Sequence, residues 1–234
     1  MVDRMPSPEP LPIPSEQPGS RGKILEVAER LFASSGYAAV GMRELATLVG
    51  LSKSALFHHF PTKRDLYAAV LDGVMERIER SIDPMRLGDM SPRRALESWI
   101  DGIVTTLATE PPAGRLLMRA LVEDEPFPAI RLTPGQTASR REGDGIGAEP
   151  MAFERRLEAI LARCGELLER GVASGDFRAL PRADALLNVI GATVFYFASG
   201  DVGEALIGES IFSTSAIERR REEIRTFVCR GLAA

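Results

Sequence analysis

The stretch from Arg43 to Phe60 constrains this chain more than any other: Arg-Glu-Leu-Ala-Thr-Leu-Val-Gly-Leu-Ser-Lys-Ser-Ala-Leu-Phe-His-His-Phe. It predicts two short helices joined by a tight turn. The first covers about residues 43–49. Gly50 ends it, because a left-handed residue is needed there and glycine adopts that conformation without steric cost. Ser52 offers its hydroxyl to an orphan N–H and opens the second helix, about residues 53–60. Ala46 is small enough to let the helices cross closely, and Leu56 fills the angle between them. That is helix-turn-helix logic, in which the second helix suits the major groove of a duplex.

The flanks extend the pattern. Ile24, Val27, Ala28, Leu31 and Phe32 recur at three- and four-residue spacing and form one apolar stripe from Ser20 onward. Gly36 stops that helix. Gly41 stands where a Ser or Thr would cap the next one better. Pro61 ends the second helix of the pair. Thr62 and Asp65 approximate a capping box, and Leu66, Val70, Val74 and Ile78 carry a fourth helix to about Ser81.

These residues resemble the DNA-binding domain of TetR-family transcriptional regulators. The resemblance rests on Ile24-Leu25, Ala28, Leu31-Phe32, Gly36-Tyr37, Arg43, Leu45-Ala46, Gly50-Leu51-Ser52-Lys53, Leu56-Phe57, His59-Phe60, Lys63 and Leu66, in the family's order and spacing. It covers about residues 20–80, with the helix-turn-helix at about 43–62. Two features depart from the family. Val40 and Gly41 replace its usual Thr followed by Ser or Thr, which cap the second helix, and Phe57 replaces a Tyr whose hydroxyl commonly touches a phosphate.

The rest reads as helices too, so the expected class is all-α. The apolar pattern predicts helices over about 92–109, 113–122, 150–173, 181–198 and 215–232, with Pro111-Pro112 breaking the first from the second. Residues 200–214 are mixed. Residues 1–19, with Pro6, Pro8, Pro10, Pro12, Pro14 and Pro18, read as a disordered tail. Residues 125–149 read as a long irregular stretch, expected to be disordered over 133–147. The segment 84–234 resembles, more loosely, the family's ligand-binding and dimerisation domain.

Composition narrows the function. A net charge of −4 argues against indiscriminate coating of nucleic acid but leaves room for a local basic face. Cys164 and Cys229 have no metal-ligand spacing and suit buried thiols in a reducing cytoplasm. The N-terminal residues lack the apolar core of a secretory signal. The apolar run at 185–198 is too short for a bilayer, which needs ~20 residues, so no membrane partner is expected. Neither Ser20-x-x-Lys23 nor Gly143-x-Gly145-x-Gly147 has the companion motifs of a catalytic site, so no enzyme and no cofactor are expected.

The expected function is a bacterial, sequence-specific, DNA-binding regulator. The resemblance implies a ligand-responsive repressor that binds a near-palindromic operator as a homodimer; a helical scaffold of the same fold that no longer binds DNA is the alternative. Candidate DNA contacts are Arg43, Ser52, Lys53, Ser54, Ala55, Phe57, His58, His59 and Lys63, with Lys53 and Lys63 at helix starts that favour an anion. His58 and His59 lack a third donor nearby, so no metal is expected. Candidate dimer residues are Gly191, Ala192, Val194, Phe195, Ala198, Ile224, Phe227 and Val228. The resemblance implies an unknown small-molecule effector in the second domain, with Trp99, Ile103, Met118, Phe153, Leu157 and Tyr196 as candidate pocket residues.

Overall fold

The computed structural model describes residues 19–82, 88–123, 126 and 151–234. The tail at 1–18 and the stretch at 133–147 lie outside the described residues.

The turn at Gly50 shows how local rules set the first domain. Gly50 has φ 75° and ψ 29°. Its left-handed conformation lets Leu51 N–H return to the Ala46 carbonyl at 2.8 Å, which closes helix α2 (Met42–Val49). Helix α3 (Lys53–His59) begins at once, because the Ser52 side chain accepts from Ala55 N–H at 3.1 Å. The Thr62–Asp65 capping box is present in both directions and starts α4 (Lys63–Ser81). Helix α1 (Ser20–Ala39) carries a break at Gly36, with φ 78° and ψ 167°. No side chain caps α2 at Gly41.

The four helices share one core. Ile24, Ala28 and Phe32 of α1 meet Leu45 of α2, Leu56 of α3 and Leu66 of α4, all fully buried. Phe32 packs edge-on to Tyr67 with ring centroids 4.9 Å apart. An α3 of seven residues has almost no stability alone, so this packing holds it.

The second domain comprises α5 (Pro92–Thr109), α6 (Pro111–Val122), α7 (Ala152–Ser174), α8 (Arg182–Ala198), α9 (Asp201–Ile207) and α10 (Thr214–Leu232). Three sequence expectations need correction. Pro111-Pro112 does not lie between helices but occupies the first turn of α6, where missing N–H groups cost nothing. Pro181 is the residue before α8 rather than part of its first turn. The mixed stretch after Gly200 contains α9, one short helix closed by Gly208.

Helix α4 is shared between the domains and packs on α1, α5 and α7, while α6 packs on α1 and α8. Among the described residues no single helix is long and apolar enough to cross a membrane; α8 and α9 together reach the length but bend by 92°. Cys164 and Cys229 are buried free thiols. Burial pushes Cys164 up to about 12 and Cys229 up to about 11, so neither is a ready nucleophile.

Candidate functional site

Helix α3 presents a narrow polar face. Ser52, Lys53, Ser54 and His58 are exposed, and Ala55, Phe57 and His59 are partly covered. Leu56 and Phe60 turn inward, at 0% and 3% exposure. Lys53 lies in the first turn, its Nζ 5.5 Å from the Phe57 ring centroid. Phe57, which lacks the hydroxyl expected from the family pattern, thus forms an apolar support for that cation. Arg43 stands exposed on α2.

Lys63 is engaged differently. Its Nζ donates to the Ala38 carbonyl at 3.1 Å and sits 4.5 Å from the Tyr37 ring centroid. It ties the start of α4 to the end of α1, so a phosphate there must share this ammonium with the joint. One basic residue near α3 escaped the sequence reading. Arg21 places its guanidinium 5.1 Å from the ring centroid of Phe60, the residue that ends α3. The only signal was a cation in the first turn of a preceding helix, indistinguishable there from a solvated face. The His58 and His59 rings are 5.9 Å apart, and among the described residues no group of three His, Cys, Asp or Glu is placed to hold a metal.

The cavity of the second domain brings together four of the six pocket candidates. Trp99 and Ile103 of α5 face Phe153 and Leu157 of α7. Helix α4 closes the space with Leu71, Met75 and Ile78, and α6 adds Leu117, Ala120 and Leu121. Two candidates lie elsewhere. Met118 points to the other side of α6, into an open cleft with Arg115, Arg119 and Ser199. Tyr196 stacks under Arg220, 4.7 Å from its guanidinium, and against Phe197, where α8 meets α10. Helical spacing identifies apolar faces without saying which face meets the cavity.

Three arginines join the cavity walls to the first domain. Arg119 of α6 donates to the carbonyls of Ala33 at 3.2 Å and Ser34 at 3.4 Å, near the break in α1, while Glu123 holds its other nitrogen at 2.5 Å. Arg156 of α7 reaches Asp72 at 2.9 Å and also Glu79, two turns apart along α4. Arg77 of α4 grips both carboxylate oxygens of Glu29 on α1 at 2.8 Å and pairs with Glu110 before α6. Burial pushes the Glu29 carboxyl above its ordinary range, and Arg77 opposes that shift. Replacing Arg119 by alanine is expected to speed hydrogen exchange in the last turn of α1 about tenfold, since a charged hydrogen bond contributes about 1.5 kcal/mol or more. Exchange in α3 serves as the internal reference and should stay unchanged.

The dimer candidates divide by burial. Phe195 is 60% exposed and Phe227 71%. Gly191 is exposed, and Ala192 and Ala198 are partly covered. Val194, Ile224 and Val228 must be withdrawn as interface side chains, because they are buried in their own chain at 7%, 1% and 5%. The stripe that does face out is Leu187, Gly191 and Phe195, one turn apart on α8, with Val202 and Leu206 exposed on α9.

The described residues, with an exposed α3 mounted through α1 and α4 on a helical body that holds an apolar cavity, have the fold of a helix-turn-helix protein with a second helical domain. Residues 24–70 match the family of bacterial regulatory proteins called tetR, and residues 148–228 match the tetracyclin repressor-like C-terminal domain. The chain belongs to the TetR family of transcriptional regulators. It is 34% identical over 87 residues to the transcriptional activator FasR of Mycolicibacterium smegmatis, a match that spans 36% of this chain and only 40% of FasR. It is 22% identical over 209 residues to the regulator RutR of Escherichia coli, covering 89% of this chain and 88% of RutR. The structure of AibR in complex with isovaleryl coenzyme A and operator DNA superposes with a TM-score of 0.65 at 17% identity, over 89% of this chain and 97% of that one.

Proposed function

We propose that this protein is a ligand-responsive repressor, without enzymatic activity, that binds a near-palindromic DNA operator as a homodimer in the bacterial cytoplasm. Residues 20–80 read DNA and residues 84–234 bind effector and pair the subunits. The observation that carries this reading is α3, whose exposed first turn joins an N-terminal cation to free N–H groups. Lys53, Arg43 and Arg21 position the helix on phosphates, and Ser54, Ala55 and His58 face base edges. A seven-residue helix makes few base contacts, so two copies about 34 Å apart are needed to reach successive major grooves. The outward apolar stripe of α8, with Val202, Leu206 and Phe227, is suited to join them. That the AibR structure holds both isovaleryl coenzyme A and operator DNA supports the same division of labour here.

The rival is a helical dimer that has lost operator binding. The engaged Lys63 and the missing hydroxyl at Phe57 favour it. A Phe195→Asp, Phe227→Asp double variant decides between them. It should sediment as a monomer at micromolar concentration and bind DNA ~100-fold more weakly or worse, because linked sites gain 10²- to 10⁴-fold in avidity. A scaffold would lose its dimer with no DNA affinity to lose.

A further inference from the structure

The chain has two histidines, and both stand in the last turn of α3. His58 is exposed and lies one helical turn beyond Ser54, on the same outer face. His59 is partly covered, and the two rings meet edge to face at 5.9 Å. Among the described residues neither imidazole has a hydrogen-bond or ion-pair partner. The charged groups on the elements around them are Lys53 on α3, Arg43 and Glu44 on α2, Arg21 at the start of α1, and Lys63, Arg64 and Asp65 in the first turn of α4. Two of these are acids. Asp65 is held by the capping box of α4, and Glu44 stands exposed in the first turn of α2.

Imidazole is the side chain whose charge changes between about pH 5 and 8. Neutral, it carries one N–H donor and one acceptor; protonated, it carries two donors and no acceptor. The two forms suit different bases. In the major groove guanine presents the acceptors N7 and O6, while adenine and cytosine each present an amino donor. The protonated ring matches guanine, and its second N–H, pointing away from the first, suits a phosphate. Only the neutral ring accepts from adenine or cytosine.

We propose that His58 is a base-reading residue whose choice is set by its proton: charged, it selects guanine, and DNA binding takes up a proton at each subunit. This rests on the reading of α3 as the helix that enters DNA. The imidazolium gains acceptors in the complex that it lacks in the free chain. Its contribution to binding is therefore present in acid and lost as pH rises.

The full-length protein is used to select duplexes from a random library at pH 6 and at pH 8, at one ionic strength, beside His58→Gln and His59→Gln. Glutamine keeps a donor and an acceptor at every pH. The wild type should enrich guanine at one position of each half-site at pH 6 and lose that preference at pH 8. On the selected duplex it should bind about tenfold more tightly at pH 6 than at pH 8. His58→Gln should flatten both effects, and His59→Gln should retain them. Cys164 and Cys229, pushed up to about 12 and about 11, stay protonated across this range. Glu29, raised by burial, is present in all three proteins, so differences among them belong to the imidazoles. Nuclear magnetic resonance of the ring C–H groups, two histidines in all, gives an independent reading: the His58 signal should titrate at higher pH with duplex bound than without. An affinity and a base preference that do not change between pH 6 and pH 8 overturn the proposal and leave α3 as the reading helix. A pH dependence that survives His58→Gln overturns the assignment to His58. A protein that selects no duplex at either pH overturns the function proposed above, and this inference with it.

Discussion

A Leu56→Ala variant is expected to lose about 2–5 kcal/mol of stability and most of its DNA binding with it. Leu56 is fully buried where α3 crosses α2, and Ala46 lies buried on the facing helix at 2%. Truncation removes the side chain that fills the crossing angle and leaves a cavity that a seven-residue helix has little means to close. Because α3 has negligible stability alone, the loss acts on the reading helix itself. Thermal unfolding followed by circular dichroism measures it. Leu48→Ala is the control: this leucine, on α2, is 57% exposed and should change stability by no more than about 0.5 kcal/mol. Equal effects at the two positions would mean that the α2–α3 crossing does not hold the domain together.

Lys53→Glu is expected to abolish tight DNA binding while leaving the fold intact. Lys53 is exposed in the first turn of α3. An acidic residue there is favoured by the positive end of the helix, so folding should not suffer. The same carboxylate set against a phosphate repels it. With two subunits, two phosphate contacts become two repulsions. Affinity should fall ~100-fold or more, and the slope of log affinity against log salt should drop by about 2, at ~0.9 per lost contact. Fluorescence anisotropy on a labelled duplex, at several salt concentrations, reads both. Lys63→Ala is a less clean probe, because Lys63 also bonds the Ala38 carbonyl and its loss loosens the α1–α4 joint. An unchanged slope for Lys53→Glu would remove α3 from the interface.

What the sequence reveals here depends on how local the cause is. Gly50, Ser52, Thr62 and Asp65 act within four residues of themselves, so the turn, the caps and the helix starts could be read directly. Leu56 and Phe60 could be assigned to the core because α3 is short and one face must pack. Distance along the chain defeats the same reasoning elsewhere. Helix α8 is apolar nearly all round, so its pattern does not tell Val194, which packs inward, from Phe195, which faces out. Ile224, Val228 and Phe227 pose the same problem on α10. Met118 follows Leu117 by one residue and lands on the opposite side of α6. Arg119 and Arg156 look like ordinary solvated charges until their partners, more than 70 positions away, are brought alongside. The short α9 sits between two glycines in a mixed stretch, where a seven-residue helix leaves too few turns to show a period.

Selection of bound duplexes from a random DNA library tests the central claim, which is that two copies of α3 read one operator together. The expected result is enrichment of a single near-palindrome whose half-site centres lie about one helical turn, ~10 base pairs, apart. Lys53→Glu should erase that enrichment. No enrichment, or an enriched site without two-fold symmetry, would contradict the account.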